Sequence, residues 1–180
     1  MDVLLQYVKE QNAEICMIAL KNNGLALEYV QEQNPELCMI AVKQDGLALK
    51  YVKAPTYEIC LEAVKAHPLA LDYIQEKTIE LCLEAVKCNI QALTRIHDTN
   101  IINNICSSLD ILYLPFGAPH RELILRLVNG KYRCWIGCQE NISLENLKWR
   151  IHNTDGGLTE NPHRQHYIDF LTKHNLYNAV

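Results

Sequence analysis

The chain repeats with a period of 22 residues, and this period constrains its fold more than any other feature. Tyrosine, cysteine and alanine each recur at this step through four successive positions. A fixed period of this size is typical of an array in which each unit buries its apolar face against its neighbours. The columns are Tyr7, Tyr29, Tyr51 and Tyr73; Cys16, Cys38, Cys60 and Cys82; and Ala19, Ala41, Ala63 and Ala85. The sequence therefore predicts a mainly α chain that begins with a short α-solenoid of two-helix repeats.

The array is predicted over residues 1–99, and it divides into a half repeat and four full repeats. The half repeat is 1–11, and the full repeats are 12–33, 34–55, 56–77 and 78–99. The last repeat departs from the pattern, since Arg95 stands where tyrosine is expected. Because the ends of such arrays are atypical, we interpret residues 100–118 as a degenerate capping helix and a linker.

Each full repeat predicts two short helices of about nine residues, or about 13 Å. Asn or Thr at positions 12, 34, 56 and 78 is a good N-cap. A glutamate follows near each predicted start and a lysine near each predicted end, as the helix dipole favours. The first helices are predicted at 13–21, 35–43, 57–65 and 79–87. A second cap, at Asn23 and its equivalents, precedes the Leu-Ala-Leu-x-Tyr pattern of the second helix.

Residues 119–180 predict a different module, a small α+β tail with a β-hairpin and two helices. Asn129-Gly130 lies between two apolar stretches, which is typical of a type I′ hairpin turn. The turn sets a register in which Arg126 opposes Arg133. One strand face is then predicted to form a core: Leu123, Leu125, Leu127, Tyr132, Cys134 and Ile136. The other face carries Ile124, Arg126, Val128, Lys131, Arg133 and Trp135. The helices are predicted at about 144–152 and 162–173.

The repeat resembles an uncharacterised family of short helical repeats. The unit Asn-Pro-Glu-Leu-Cys-Met-Ile-Ala-Val-Lys-Gln-Asp-Gly-Leu-Ala-Leu-Lys-Tyr-Val (34–52) carries the likeness, which extends over residues 1–99. Such repeats are abundant in mimivirus-like giant DNA viruses. The segment 132–145 more weakly resembles a small C-terminal segment attached to several repeat proteins. The resemblance implies a viral source, with the host cytoplasm as the location, and it implies no chemistry.

Two groups of residues are candidates for binding a partner. The tyrosine column, Tyr7, Tyr29, Tyr51 and Tyr73, could anchor a protein, because tyrosine is favoured at interfaces. Alternatively, the rings fill the seam between repeats and leave only the hydroxyls in water. The second group is Arg126, Lys131, Arg133 and Trp135 on one face of the hairpin. Like charges at facing positions are unfavourable, so we expect an acidic group there, from the array, a partner or a phosphate.

A metal or thiol site in the tail is a weaker hypothesis. Cys134 and Cys138, with His163 and His166, supply residue types that zinc prefers. Neither pair has a spacing typical of zinc sites, and Cys134 already has a core position. Cys138 and His163 could pair as a nucleophile and base, but no third orienting residue is recognisable. We therefore expect neither a cofactor nor a catalytic site, and we interpret the four repeated cysteines as buried free thiols.

Composition indicates a soluble intracellular protein, and a regular array without a catalytic constellation indicates one that binds other proteins. No apolar stretch reaches the roughly 18 residues of a membrane span, and the N-terminus lacks the features of a signal peptide. Residues 1–98 carry nine Lys/Arg against fourteen Asp/Glu, a net charge of −5. An acidic array argues against nucleic acid as the main ligand. We expect a non-enzymatic interaction or scaffold protein; the alternative is that the array carries a zinc- or thiol-dependent enzyme or a nucleic-acid-binding element.

The N-terminal half repeat is a candidate for self-association. It has no preceding unit to cover Leu4, Leu5 and Val8, and the ends of solenoids need covering. A homodimer or a docked partner at this edge would supply that cover. In the alternative, the half repeat turns its apolar side inward and leaves a polar edge.

Overall fold

The computed structural model describes residues 5–115, 122–136, 139–152 and 164–177. The chain divides into two compact units, Met1–Ile102 and Asn103–Val180. The first unit holds the repeats, and the second holds a small antiparallel sheet with helices. The prediction of a mostly helical chain with a small hairpin-bearing module is confirmed. No helix in the described part of the chain has the length and apolar character that a membrane span requires.

An α-helix opens each full repeat, as the cap pattern predicts. The bounds are Ala13–Asn22 (α1), Pro35–Gln44 (α2), Tyr57–Ala66 (α3) and Ile79–Cys88 (α4). Each begins after a side chain that accepts a hydrogen bond from the amide three residues on. The Leu37 amide, for example, donates to Asn34 at 2.8 Å. The caps satisfy amides that have no partner within the helix, and each helix ends one residue beyond the predicted end.

The second helix of each repeat is shorter and tighter than predicted. It is a 3-10 helix of six residues in every full repeat, and the half repeat supplies three residues of the same kind. The bounds are Leu5–Tyr7 (η1), Gly24–Tyr29 (η2), Gly46–Tyr51 (η3), Pro68–Tyr73 (η4) and Ile90–Arg95 (η5). In η2, Ala26 is buried, and the buried Gly24, Leu27 and Val30 are three residues apart. Because a 3-10 helix has three residues per turn, this spacing aligns them on one face.

Small residues let successive repeats approach closely. The alanine column is at most 2% exposed. A Cβ atom added to Gly46 would collide with the Ala63 carbonyl oxygen and lie 2.8 Å from the His67 amide nitrogen. The α-helices contact their counterparts in the neighbouring repeat, and so do the 3-10 helices. These contacts are what a solenoid requires, and the solenoid arrangement of the whole array remains a prediction.

A helix lies where the sequence predicts the capping helix, but it ends earlier than predicted. It spans Thr99–Leu109 (α5) and begins after Asp98, whose carboxylate accepts from the Asn100 amide at 2.7 Å. Asp110 then adopts a left-handed conformation with φ of 52°, which ends the helix. The next four residues, Ile111–Leu114, form a strand (β1). For these four residues the prediction of a helix or linker is wrong, because Ile-Leu-Tyr-Leu suits a strand that has a partner.

Four antiparallel strands form one sheet in the order β1-β2-β3-β4. The other bounds are Leu123–Val128 (β2), Lys131–Ile136 (β3) and Gln139–Ser143 (β4). The predicted hairpin register is confirmed, including the pair Arg126 and Arg133. Asn129 and Gly130 have φ of 51° and 74°, and a type I′ turn requires positive values at both positions. β1 and β4 are strands that the sequence analysis missed.

The core of the second unit lies between the sheet and two helices, Leu144–His152 (α6) and Arg164–Lys173 (α7). Its buried members are Leu123, Leu125, Cys134, Ile136, Leu147, Ile151, Tyr167 and Leu171. Two face assignments need correction. Leu127, near the hairpin turn, is 44% exposed, whereas Ile124 on the opposite face is 1% exposed. Ile124 pairs with Tyr113 of β1, and burial raises the pKa of Tyr113 to about 12, so this second face is also covered near β1.

Candidate functional site

The tyrosine column ends the successive 3-10 helices of the first unit. Tyr7 is 75% exposed, Tyr29 and Tyr73 are each 44% exposed, and Tyr51 is half-buried. The Lys50 ammonium lies 4.5 Å from the centroid of the Tyr51 ring, a distance that suits a cation–π interaction. Tyr7, Tyr29 and Tyr73 are thus exposed enough for a partner to contact, while the rest of each side chain is covered by the chain itself. Partner binding by this column stays a prediction.

Glutamine side chains tie the first repeats together, a feature that the sequence analysis missed. The Gln11 amide nitrogen donates to the Tyr29 carbonyl oxygen at 2.8 Å. Its amide oxygen accepts from the Gln31 amide at 3.0 Å and from the Cys16 thiol at 3.8 Å. We use the term glutamine clamp for this three-point arrangement. One side chain thereby satisfies two backbone groups in the turn that follows the next 3-10 helix.

The same clamp recurs one repeat later. Gln33 donates to the Tyr51 carbonyl at 2.9 Å and accepts from the Lys53 amide at 3.1 Å and the Cys38 thiol at 3.7 Å. A different glutamine points back along the chain, since Gln44 accepts from the Gly24 amide at 2.6 Å. The signal for the clamp was present in the sequence as two glutamines 22 residues apart, each just before an Asn N-cap.

The third and fourth positions equivalent to Gln11 and Gln33 do not carry glutamine. The equivalent positions in the next two repeats are Pro55 and Lys77. Proline has no side-chain polar group, and the Lys77 ammonium donates instead to the Ile74 carbonyl of its own turn at 3.1 Å. The later repeats therefore lack the glutamine clamp that joins the earlier ones.

Two grooves lie at equivalent places, 44 residues apart. The first groove has a volume of about 530 Å³ and is lined by residues that include Gln11, Cys16 and Gln31. The second groove has a volume of about 640 Å³. It is lined by Pro55, Cys60, Tyr73, Gln75 and neighbouring residues. The larger volume falls where the clamp is missing.

The cationic face of the hairpin has no acidic partner within the described residues of its own unit. Arg126 and Arg133 face each other across β2 and β3, and no carboxylate in the described ranges forms an ion pair with either. Arg126 and Trp135 are half-buried, while Arg133 and Lys131 are exposed. An acidic group at this face, from the array, a partner or a phosphate, stays a prediction.

The four residues of the metal hypothesis divide between described and undescribed parts of the chain. Cys138 and His163 lie outside the described residues. Cys134 is fully buried in the sheet core, where burial raises the pKa of its thiol to about 12, and His166 is exposed. Within the described ranges no cluster of three or more His, Cys, Asp or Glu residues could hold a metal ion. The described cysteines are free thiols, and those of the repeat column are buried.

The N-terminal edge differs from the expectation of an open apolar surface. Leu5 is only 2% exposed, so the chain itself covers it, and Val8 is half-buried. Leu4 lies outside the described residues. Gln6, Lys9 and Glu10 are exposed, which fits the alternative of a polar edge. Self-association through this edge stays a prediction, with less apolar surface among the described residues to support it.

Comparison with known proteins adds one match. A family model described as Domain of unknown function (DUF4116) matches residues 12–55. This stretch is the first two full repeats, which share Asn N-caps, whereas the next two have Thr N-caps. A search of curated proteins and a search of solved structures found no match.

Proposed function

We propose that the chain is a non-enzymatic interaction or scaffold protein whose repeats stack as a short α-solenoid and bind another protein. The observation that carries the proposal is the column of partly exposed tyrosines on successive repeats, with Tyr7, Tyr29 and Tyr73 at 75%, 44% and 44% exposure. Large aromatic side chains on a rigid scaffold are favoured anchors in protein interfaces. Because the column repeats every 22 residues, it would suit an extended partner segment.

The charge of the array favours a protein over a nucleic acid as this partner. Residues 1–98 carry a net charge of −5, which would repel a phosphate backbone. Several surface cations are already paired within the array, as Lys65 is with Glu62 and Arg95 with Asp72. A giant DNA virus as the source and the host cytoplasm as the location rest on the resemblance of the repeat alone.

Affinity capture with matched variants tests the proposal. The immobilised full chain captures proteins from an extract of the cells that produce it, beside a Tyr7→Ser/Tyr29→Ser variant. Ile18→Ser is the control, because Ile18 is 48% exposed but lies outside the tyrosine column. We expect the double variant to lose retention of the partner about tenfold or more, as loss of aromatic anchors does. Equal retention by all three proteins would contradict the proposal.

The non-enzymatic part of the proposal has its own test. The purified chain is incubated with generic hydrolase, nuclease and phosphatase substrates, with and without added zinc. We expect no turnover. Turnover that disappears in a Cys138→Ser or His163→Ala variant would instead support the thiol or zinc alternative for the tail.

A second candidate function is anion binding by the hairpin. The observation that favours it is the facing pair Arg126 and Arg133, beside Trp135 and Lys131, with no paired carboxylate in the described ranges. Arginine and an aromatic ring suit phosphate and base contacts. A salt-sensitive gel shift with single-stranded DNA, lost in Arg133→Gln, would support it. No shift at low salt would exclude it.

A further inference from the structure

We propose that the second groove, at Pro55, binds a glutamine side chain that an acidic, extended segment of a partner protein supplies. The inference rests on the proposed interaction function and adds the chemistry of one contact. It starts from the equivalence of the two grooves. The first groove holds the chain's own Gln11 side chain, which indicates that the second groove suits the same chemical group.

Three polar groups that a glutamine would satisfy are left open in the second groove. They are the Tyr73 carbonyl, the Gln75 amide and the Cys60 thiol, which correspond to the groups that Gln11 and Gln33 bind in the preceding repeats. No hydrogen bond to any of the three is formed within the described part of the chain. Their residues all line the groove.

The arrangement favours a primary carboxamide over a charged side chain. The site presents one acceptor, the Tyr73 carbonyl, and two donors. A carboxylate can only accept, and an ammonium can only donate, whereas a carboxamide does both from adjacent atoms. Cys60 is 7% exposed, and burial raises the pKa of its thiol, so the thiol keeps its proton and remains a donor.

The groove also has room for the missing group. Pro55 replaces the glutamine, and the volume rises from about 530 Å³ to about 640 Å³. A groove of this size can hold a side-chain amide, since about 10–15 Å³ on the same measure holds a water.

Charge indicates what should flank the incoming glutamine. Lys50, Lys53 and Glu76 line the second groove, whereas the first groove has Lys9 against Glu10 and Glu32. The sign of the lining charge thus changes from negative to positive. In the chain's own clamps a glutamate precedes the glutamine, but Ala54 precedes Pro55. A partner segment with an acid next to its glutamine would complement the positive groove.

The test uses the full chain, labelled with ¹⁵N, and a peptide that copies the chain's own clamp segment. The probe is acetyl-Gln-Glu-Gln-Asn-Pro-Glu-amide, the sequence of residues 31–36, titrated to about 5 mM because such a short ligand binds weakly. The control peptide has methionine in place of the second glutamine, the one that corresponds to Gln33, so it keeps the length and charge of the probe. We expect a saturable shift of the Gln75 amide signal that the control peptide produces about tenfold more weakly.

The variant Pro55→Gln supplies the clamp from within the chain. Glutamine is native at the equivalent positions 11 and 33, so the variant should fold, and its amide spectrum checks this. We expect it to abolish peptide binding and to slow hydrogen exchange of the Gln75 amide.

Four results would overturn the inference: no shift of Gln75, equal binding of the methionine peptide, unchanged peptide binding by Pro55→Gln, or a Gln75 shift that depends only on protein concentration. The last would identify a second copy of the chain as the occupant. Each leaves the proposed function standing, because the Tyr7→Ser/Tyr29→Ser test does not involve this groove.

Discussion

Gly46→Ala tests how closely successive repeats approach. Gly46 does not have a left-handed backbone conformation, so the substitution adds no backbone strain and isolates one contact. An added Cβ would collide with the Ala63 carbonyl oxygen and lie 2.8 Å from the His67 amide nitrogen and 2.9 Å from the His67 Cβ. Backbone atoms cannot rotate aside as a flexible side chain can. The third repeat must therefore move away from the second to admit the methyl group.

Two opposing terms set the expected loss of stability. Replacing glycine by alanine within a helix normally gains about 0.5–1 kcal/mol. Overpacking a well-filled site costs about 1–3 kcal/mol, and Ala63 is fully buried, so little relaxation is available. We expect a net loss of about 1–2 kcal/mol in the free energy of unfolding.

Urea unfolding followed by circular dichroism measures this loss. The control is Glu28→Ala, at an exposed position of η2, where we expect a change within about 0.5 kcal/mol. If Gly46→Ala is as stable as the wild type or more stable, helix propensity has outweighed the contact. The close approach of repeats 34–55 and 56–77 would then be refuted.

Three further predictions concern stability. Ala41→Leu should cost about 1–3 kcal/mol by overpacking, whereas Glu62→Ala should cost less than about 0.5 kcal/mol because its ion pair is exposed. Equal losses in urea unfolding would show that the buried and exposed faces of the α-helices are misassigned. Gln33→Ala should cost about 1–2 kcal/mol and speed hydrogen exchange at the Lys53 amide, and unchanged exchange there would argue against the clamp. Burial raises the pKa of Cys134 from 9.0 to about 12, so the unfolded chain loses this proton first. The free energy of unfolding should be unchanged below about pH 9 and fall as the pH rises toward 12. Urea unfolding at pH 8 and 10 should show a smaller fall for Cys134→Val than for the wild type. An equal fall in both proteins would contradict this prediction.

The features that the sequence predicted well are set by neighbouring residues. An Asn or Thr side chain caps a helix through an amide three residues away, so the caps at 12, 34, 56 and 78 could be read directly. The Asn129-Gly130 turn fixes the hairpin register in the same local way. In both cases the partner groups lie within a few residues, and no knowledge of the tertiary structure is needed.

The features that the sequence did not predict depend on distant partners or on a subtle difference in period. The glutamine clamp joins groups 18 and 20 residues apart, and it occupies only two of four equivalent positions, so it does not form a full column. β1 becomes a strand because β2 is beside it. The distinction between a 3.6-residue and a three-residue period is hard to draw over six positions, which is why the 3-10 helices were predicted as longer helices.

The uneven distribution of clamps has a consequence for how the array comes apart. In a linear array, stability is the sum of the units and their interfaces, and Gln33 and Gln44 both strengthen the interface between repeats 12–33 and 34–55. Beyond it, the last two full repeats are linked by an exposed ion pair, Arg95 with Asp72 at 3.3 Å, which adds little. We therefore expect the first unit to open from its C-terminal repeats inward, with residues 12–55 melting last as a single cooperative block.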